Sequence, residues 1–148
     1  MYQSMLVPTD GSALSARAVS QAMQFARAIG ARVTALYVMP QYQTMVDEGY
    51  ALPSVVSVRQ HFEDEATARS EAILGAVRAE AESADVECRC LAVSGAAPWE
   101  VIIDQAAKQG CDLIMMASHG RSGLQSLLLG SETAKVLVHS KIPVLVVR

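Results

Sequence analysis

Short apolar runs and helical periods alternate along this chain, and that alternation constrains the fold more than any other feature. Residues 4–8 form a compact apolar run, read as a first strand, which Asp10-Gly11-Ser12 breaks. Leu14, Ala18, Ala22, Phe25, Ala26 and Ile29 then recur three or four apart, as one face of a helix does. Ser12 is placed to cap that helix and Gly30 to stop it. Residues 33–38 are rich in β-formers and read as a second strand. Residues 39–57, with Pro40, Gly49 and Pro53, read as a long connection without regular structure, either functional or a plain insertion. Helical spacing returns at 59–83, with Glu63, Asp64 and Glu65 in the first turns, where the positive helix end favours them. Residues 86–93 read as a third strand, and Pro98 opens a third helix ended by Gly110. Residues 113–117 are wholly apolar, the mark of a buried central strand. After a loop at 118–130, Ser131 opens a short helix to His139, and residues 143–147 form the last strand.

Strands alternating with helices predict a parallel sheet with helices on both faces, a three-layer α/β/α sandwich. With 148 residues and no repeat or linker, a single domain over 1–148 is expected. Composition narrows the class. Hydrophobic residues make up 51% and charged residues 18%, which excludes a disordered chain. No apolar run reaches the roughly 18–20 residues of a membrane span, and Met1-Tyr2-Gln3-Ser4 lacks the character of a secretory signal. The net charge of −3 without a basic cluster disfavours nucleic acid as a partner. Three cysteines, Cys88, Cys90 and Cys111, read as reduced structural thiols of a cytoplasmic protein, since no second pair exists for a zinc site.

Ligands of open α/β sheets bind beyond the carboxyl ends of strands, where the strand order switches. Three strand ends carry unusual residues here. The first reads Pro8-Thr9-Asp10-Gly11-Ser12, the second ends at Val38, and the fourth runs Ala117-Ser118-His119-Gly120, nine residues, then Gly130-Ser131. A helix opening at Ser131 would present free amides and a partial positive charge, which suits a phosphate. From spacing alone, a glycine-punctuated turn with a serine cap is an equal reading. Asp10 could accept hydrogen bonds from a ribose or a base, or cap the following helix. His119 could face a ligand or satisfy loop carbonyls. The P-loop, the dinucleotide glycine motif, the zinc-protease motif and the hydrolase serine elbow are all absent from the sequence.

Taken together, Ala117-Ser-His-Gly120, nine residues, Gly130-Ser131 and the C-terminal Pro-Val-Leu-Val-Val from Pro143 to Val147 strongly resemble the universal stress protein family. Leu6-Val-Pro-Thr-Asp-Gly-Ser12 resembles its first-strand signature, and Leu36-Tyr-Val38 its second-strand end. The resemblance covers essentially the whole chain. It implies the adenine nucleotide alpha hydrolase-like fold, with parallel strands ordered 3-2-1-4-5. ATP-binding members carry G-x-x-G, nine residues, G-[ST]. By that resemblance Gly120 matches the second glycine, Gly130 the third and Ser131 the hydroxyl residue. The amides of Gly130, Ser131 and Glu132 would hold phosphates, and Pro8, Thr9 and Asp10 would flank the adenosine. The Val38 backbone would pair with the adenine edge, and Met116 and His119 would lie along the ribose and phosphates. One departure stands out: the first glycine is Ala117, tolerable if its φ is negative and a hindrance if positive. The Glu132 carboxylate enters near the phosphates and is expected to turn to solvent.

The resemblance therefore implies a cytoplasmic, homodimeric stress protein that binds ATP, ADP or AMP, with Mg2+ accompanying the phosphates and the C-terminal strand forming the dimer edge. No catalytic residue and no protein metal site is assigned. Two alternatives stay open: an interaction protein of the same fold without nucleotide, and a slow ATP hydrolase. A phosphorylation-receiver domain fits less well, because the third strand ends in Ser94-Gly95 rather than an aspartate.

Overall fold

The computed structural model describes residues 1–41, 53–120 and 128–148. The elements run β1 (Ser4–Pro8), α1 (Ala13–Ile29), β2 (Arg32–Met39), α2 (Pro53–Ala84), β3 (Cys88–Ser94), α3 (Pro98–Lys108), β4 (Leu113–Ala117), α4 (Ser131–His139) and β5 (Val144–Val147). All five strands are parallel, in the order β3-β2-β1-β4-β5. The expected sheet and strand order are therefore the observed ones.

The alternation of side chains along the strands builds two cores. Met5, Val7, Met115 and Ala117 point to the face covered by α1 and α2, where Ala18, Ala22, Met23, Val77 and Ala81 meet them. Leu6, Leu36, Ile114 and Met116 point to the opposite face, against Ile102 and Ala106 of α3 and Val136 of α4. Burying a sheet on both faces explains why β4 is apolar at every position: all five of its residues are buried.

The ends of α1 follow from its caps. The Ser12 side chain accepts the Ser15 amide at 3.2 Å, and Gly30 ends the helix with a left-handed φ of 69°. Two boundaries differ from expectation by two residues or more. Residues 53–57, expected in a connection, are the first turns of α2, with Pro53 at the first helical position, where its missing N–H costs no helical bond. The rest of that expected connection, 42–52, lies outside the described residues, as does 121–127 with Gly123. The third strand begins at Cys88 rather than 86, because the Val86 amide donates to Ala81 O (3.0 Å) and closes the end of α2. Cys88 and Cys90 share the face of β3 toward α2; they and the buried Cys111 are free thiols. Among the described residues no helix is long and apolar enough to cross a membrane.

Candidate functional site

A cavity of about 290 Å³ opens at the carboxyl ends of β1, β2 and β4, beside the first turns of α3 and α4. It sits between β1 and β4, where the strand order reverses direction. Its floor is apolar, formed by Pro8, Leu36, Val38, Ile102 and Met116 from the α3–α4 side of the sheet. Its rim is polar, and each part of the rim is locked by local hydrogen bonds.

The β1 end is a closed network. The Thr9 amide donates to Leu36 O at 2.9 Å, extending the ladder to β2. The Thr9 hydroxyl accepts the Gly11 amide at 3.3 Å and meets the Ser15 hydroxyl at 3.0 Å; Ser15 in turn donates to Ser12 O. Asp10 Oδ1 accepts the Ser12 amide at 2.9 Å, an Asx turn that orients the carboxylate. Its other oxygen lies against Gly120, where any Cβ would overlap it. On β2 the register with β1 ends at Pro8 and Leu36, so Val38 lies beyond the last β1 partner.

The β4 end is tied to the start of α4 by two bonds. The Gly130 amide donates to Ser118 O at 2.8 Å, and the Thr133 hydroxyl donates to Ala117 O at 3.0 Å. The Ser118 hydroxyl meets His119 Nδ1 at 3.1 Å. Gly130 therefore spends its amide within the protein, contrary to the expected phosphate role. The amides of Ser131, Glu132 and Thr133 follow it in the first turn of α4 and have no acceptor within the helix. The methyl at Ala117 is accommodated. Among the described residues Asp85 is the one non-glycine with positive φ, so Ala117 has an ordinary backbone, and its side chain packs in the α1–α2 core.

Glu132 departs from expectation. Its side chain stays partly exposed but is tied down: Oε2 accepts the Trp99 amide at 2.9 Å, and Oε1 meets Lys135 Nζ at 3.3 Å. The reason lies in α3, whose N-cap, Ala97, has no side-chain acceptor. The carboxylate of α4 supplies the missing one.

All eleven residues singled out from the sequence line this one cavity: Pro8, Thr9, Asp10, Val38, Met116, Ala117, His119, Gly120, Gly130, Ser131 and Glu132. Sequence reasoning missed Ser15, Leu36, Pro98, Ile102 and Thr133. Leu36 was within reach, since it shares the face of Val38 by strand alternation. Ile102 lies one helical turn beyond Pro98, but nothing local aims either at this cavity. Among the described residues no group of three or more histidines, cysteines or carboxylates could hold a metal ion.

The model of the universal stress protein family matches residues 1–148. The universal stress protein YxiE of Bacillus subtilis is 33% identical over the full length of both chains. The solved structure of MJ0577, a universal stress protein of Methanocaldococcus jannaschii, superposes with a TM-score of 0.82 at 29% identity, over 99% of this chain and 96% of its own. A universal stress protein solved in complex with cAMP superposes with a TM-score of 0.73 at 29% identity, over 99% and 97%. With the whole chain matched in sequence and in fold, this protein belongs to the universal stress protein family.

Proposed function

We propose that the protein is an adenine-nucleotide-binding stress protein, taking ATP, ADP or AMP in the cavity at the β1–β4 switch point. The observation that carries this reading is the meeting, in one cavity, of the Asp10 turn, the Val38 strand end and the amide-bearing start of α4. An apolar floor with a few fixed polar groups is what a base and ribose require. A Cβ at Gly120 would strike Asp10 and one at Gly130 the backbone of His119, so both glycines keep the rim around the β4 end closely packed. The Ser131 and Glu132 amides and the Ser131 hydroxyl are the proposed phosphate donors, helped by the positive end of α4. Pro8, Thr9 and Asp10 flank the adenosine, the Val38 backbone meets the adenine edge, and Met116 and His119 line the ribose and phosphate side. Mg2+ enters with the phosphates. The cAMP-bound relative supports the ligand class.

Binding rather than turnover is the proposed role, because no sequence motif places a lysine to stabilise a transferring phosphoryl group. The protein acts as a single domain and as a cytoplasmic homodimer. β5 is an edge strand with Leu145 38% exposed, which suits pairing with a second copy. Nucleotide extracted from the purified protein, followed by calorimetry at millimolar ATP and AMP, tests the ligand. An empty extract with no measurable binding overturns the reading. Sedimentation that finds a monomer at micromolar concentration overturns the dimer.

A further inference from the structure

We propose that Cys88 and Cys90 form a two-thiolate site for one soft monovalent metal ion, Cu(I), at the β3 edge of the sheet. The pair lies apart from the cavity, at the start of β3, which is the outermost strand on that side. Side chains two residues apart on a strand share a face. Both thiols stand on the face that α2 covers, beside Val33 and Ala35 of β2. Both are half-buried, neither sealed in the core nor fully in water. They lie within hydrogen-bonding reach of each other. Cys88 Sγ is 3.8 Å from Arg89 O, and Cys90 Sγ is 3.9 Å from Leu74 O of α2.

A neighbouring thiol pair can close a disulfide or share an ion. Same-face positions are about 6.6 Å apart, two rises of ~3.3 Å, whereas a disulfide holds its Cβ atoms ~3.5–4.5 Å apart. The extended backbone of β3, paired with β2 from Cys88 to Ser94, resists that contraction. An ion asks for less. Two metal–sulfur bonds of about 2.3 Å in line span roughly 4.6 Å between sulfurs, which the side chains reach by leaning together. Charge points the same way. Burial, then the negative charge of Cys90, push the Cys88 thiol up to about 12, so Cys88 keeps its proton at neutral pH. A cation between the sulfurs removes that repulsion, and a coordinated thiol loses its proton outright. Arg78 of α2, which lies 3.6 Å from Glu71, adds positive charge near Cys88. Binding is an exchange: two S–H bonds break, two Cu–S bonds form, two protons leave, and copper stays Cu(I). Thiolates select soft ions, and Cu(I) is satisfied by two of them. Structural zinc takes four ligands, and among the described residues no group of three or more histidines, cysteines or carboxylates is placed to supply them.

Anaerobic titration of the reduced protein with Cu(I), in competition with a chromogenic Cu(I) chelator, tests the site. Each chain should retain one ion, release two protons and gain a copper–thiolate absorption in the near ultraviolet. Cys88→Ser and Cys90→Ser should each weaken retention by more than about a hundredfold, since loss of an outer partner alone costs ~10–100-fold. Cys111→Ser should leave retention unchanged. Cu(I) should also raise the Tm of the parent but not that of Cys88→Ser, which decides the matter if Cys90→Ser does not fold. No ion held by the parent against the chelator, retention undiminished in either serine variant, one ion shared by two chains, or Zn2+ bound more tightly than Cu(I) overturns the proposal.

Discussion

Gly130 shows how sharply the start of α4 is fitted to the end of β4. Its φ is −62° and its ψ 150°, a conformation any residue adopts, so backbone freedom is not why it is glycine. Space is. A Cβ built there would lie 2.9 Å from His119 Cα, 3.0 Å from His119 Cβ and 3.1 Å from Ser118 O. None of those atoms sits at the end of a flexible side chain, so Gly130→Ala must push the β4 end and α4 apart by a few tenths of an ångström. That displacement strains the 2.8 Å bond from the Gly130 amide to Ser118 O. Overpacking of this kind costs about 1–3 kcal/mol, or roughly 3–10 °C in Tm for a domain of this size. The natural comparison is Gly75→Ala inside α2. There a Cβ meets nothing within 4 Å, and the substitution should stabilise by roughly 0.5–1 kcal/mol through helix propensity. Thermal and urea unfolding of both variants should therefore give opposite signs. A Gly130→Ala variant as stable as the parent would refute the close approach and the rigid β4–α4 junction built on it.

Two pH-dependent predictions come from groups outside the cavity. Burial, reinforced by the neighbouring Cys90, pushes the Cys88 thiol up from 9.0 to about 12. Its contribution to stability is therefore fully present below about pH 9 and is lost as the pH rises toward 12. Unfolding measured between pH 7 and 10.5 should show the parent weakening relative to Cys88→Ala at the alkaline end, and native Cys88 should alkylate far more slowly than in urea; equal alkylation rates would contradict the burial. At Asp112, partial desolvation is outweighed by the amides of Gln3 and Ser4, which donate at 2.9 and 3.0 Å and hold the carboxyl below its ordinary 3.8. That stability is present above pH 3.8 and fades as the pH falls through the lowered value. Asp112→Asn should cost about 1 kcal/mol at neutral pH and less in acid, and a pH-independent difference would refute the ionic account.

The sheet was legible because its strands are buried on both faces. The apolar runs at 4–8 and 113–117 have almost no other way to hide, and they became β1 and β4 without a shift. The start of α2 was not legible, for a physical reason. Val56 and Val58 are exposed and β-branched, so they mark no buried stripe whose spacing could announce a helix, and Pro53 reads equally as a turn breaker or a first helical residue. The strand-end motifs located the cavity well, since each marks a place where the chain leaves the sheet. What they could not reveal was contact between distant segments. Glu132 and Trp99 stand 33 residues apart, and nothing local says that a carboxylate of α4 will cap α3.

Ala117 illustrates the difference between matching a motif and understanding it. Read as a pattern, an alanine at the first glycine weakens the resemblance to nucleotide-binding relatives. Read in the structure, the three small residues have separate reasons. Gly120 leaves room for the Asp10 carboxylate, and Gly130 leaves room for the His119 backbone. Position 117 needs neither. It lies within β4 paired with Val147, its methyl packs on the α1–α2 side of the sheet, and its carbonyl is already bonded by Thr133. The methyl thus points away from the face that carries Leu36 and Met116, the floor of the cavity. A substitution that looks disqualifying by spacing sends its methyl into the α1–α2 core. Glu132, one place beyond the motif, puts a carboxylate on this rim, where it accepts the Trp99 amide and so caps α3 from α4.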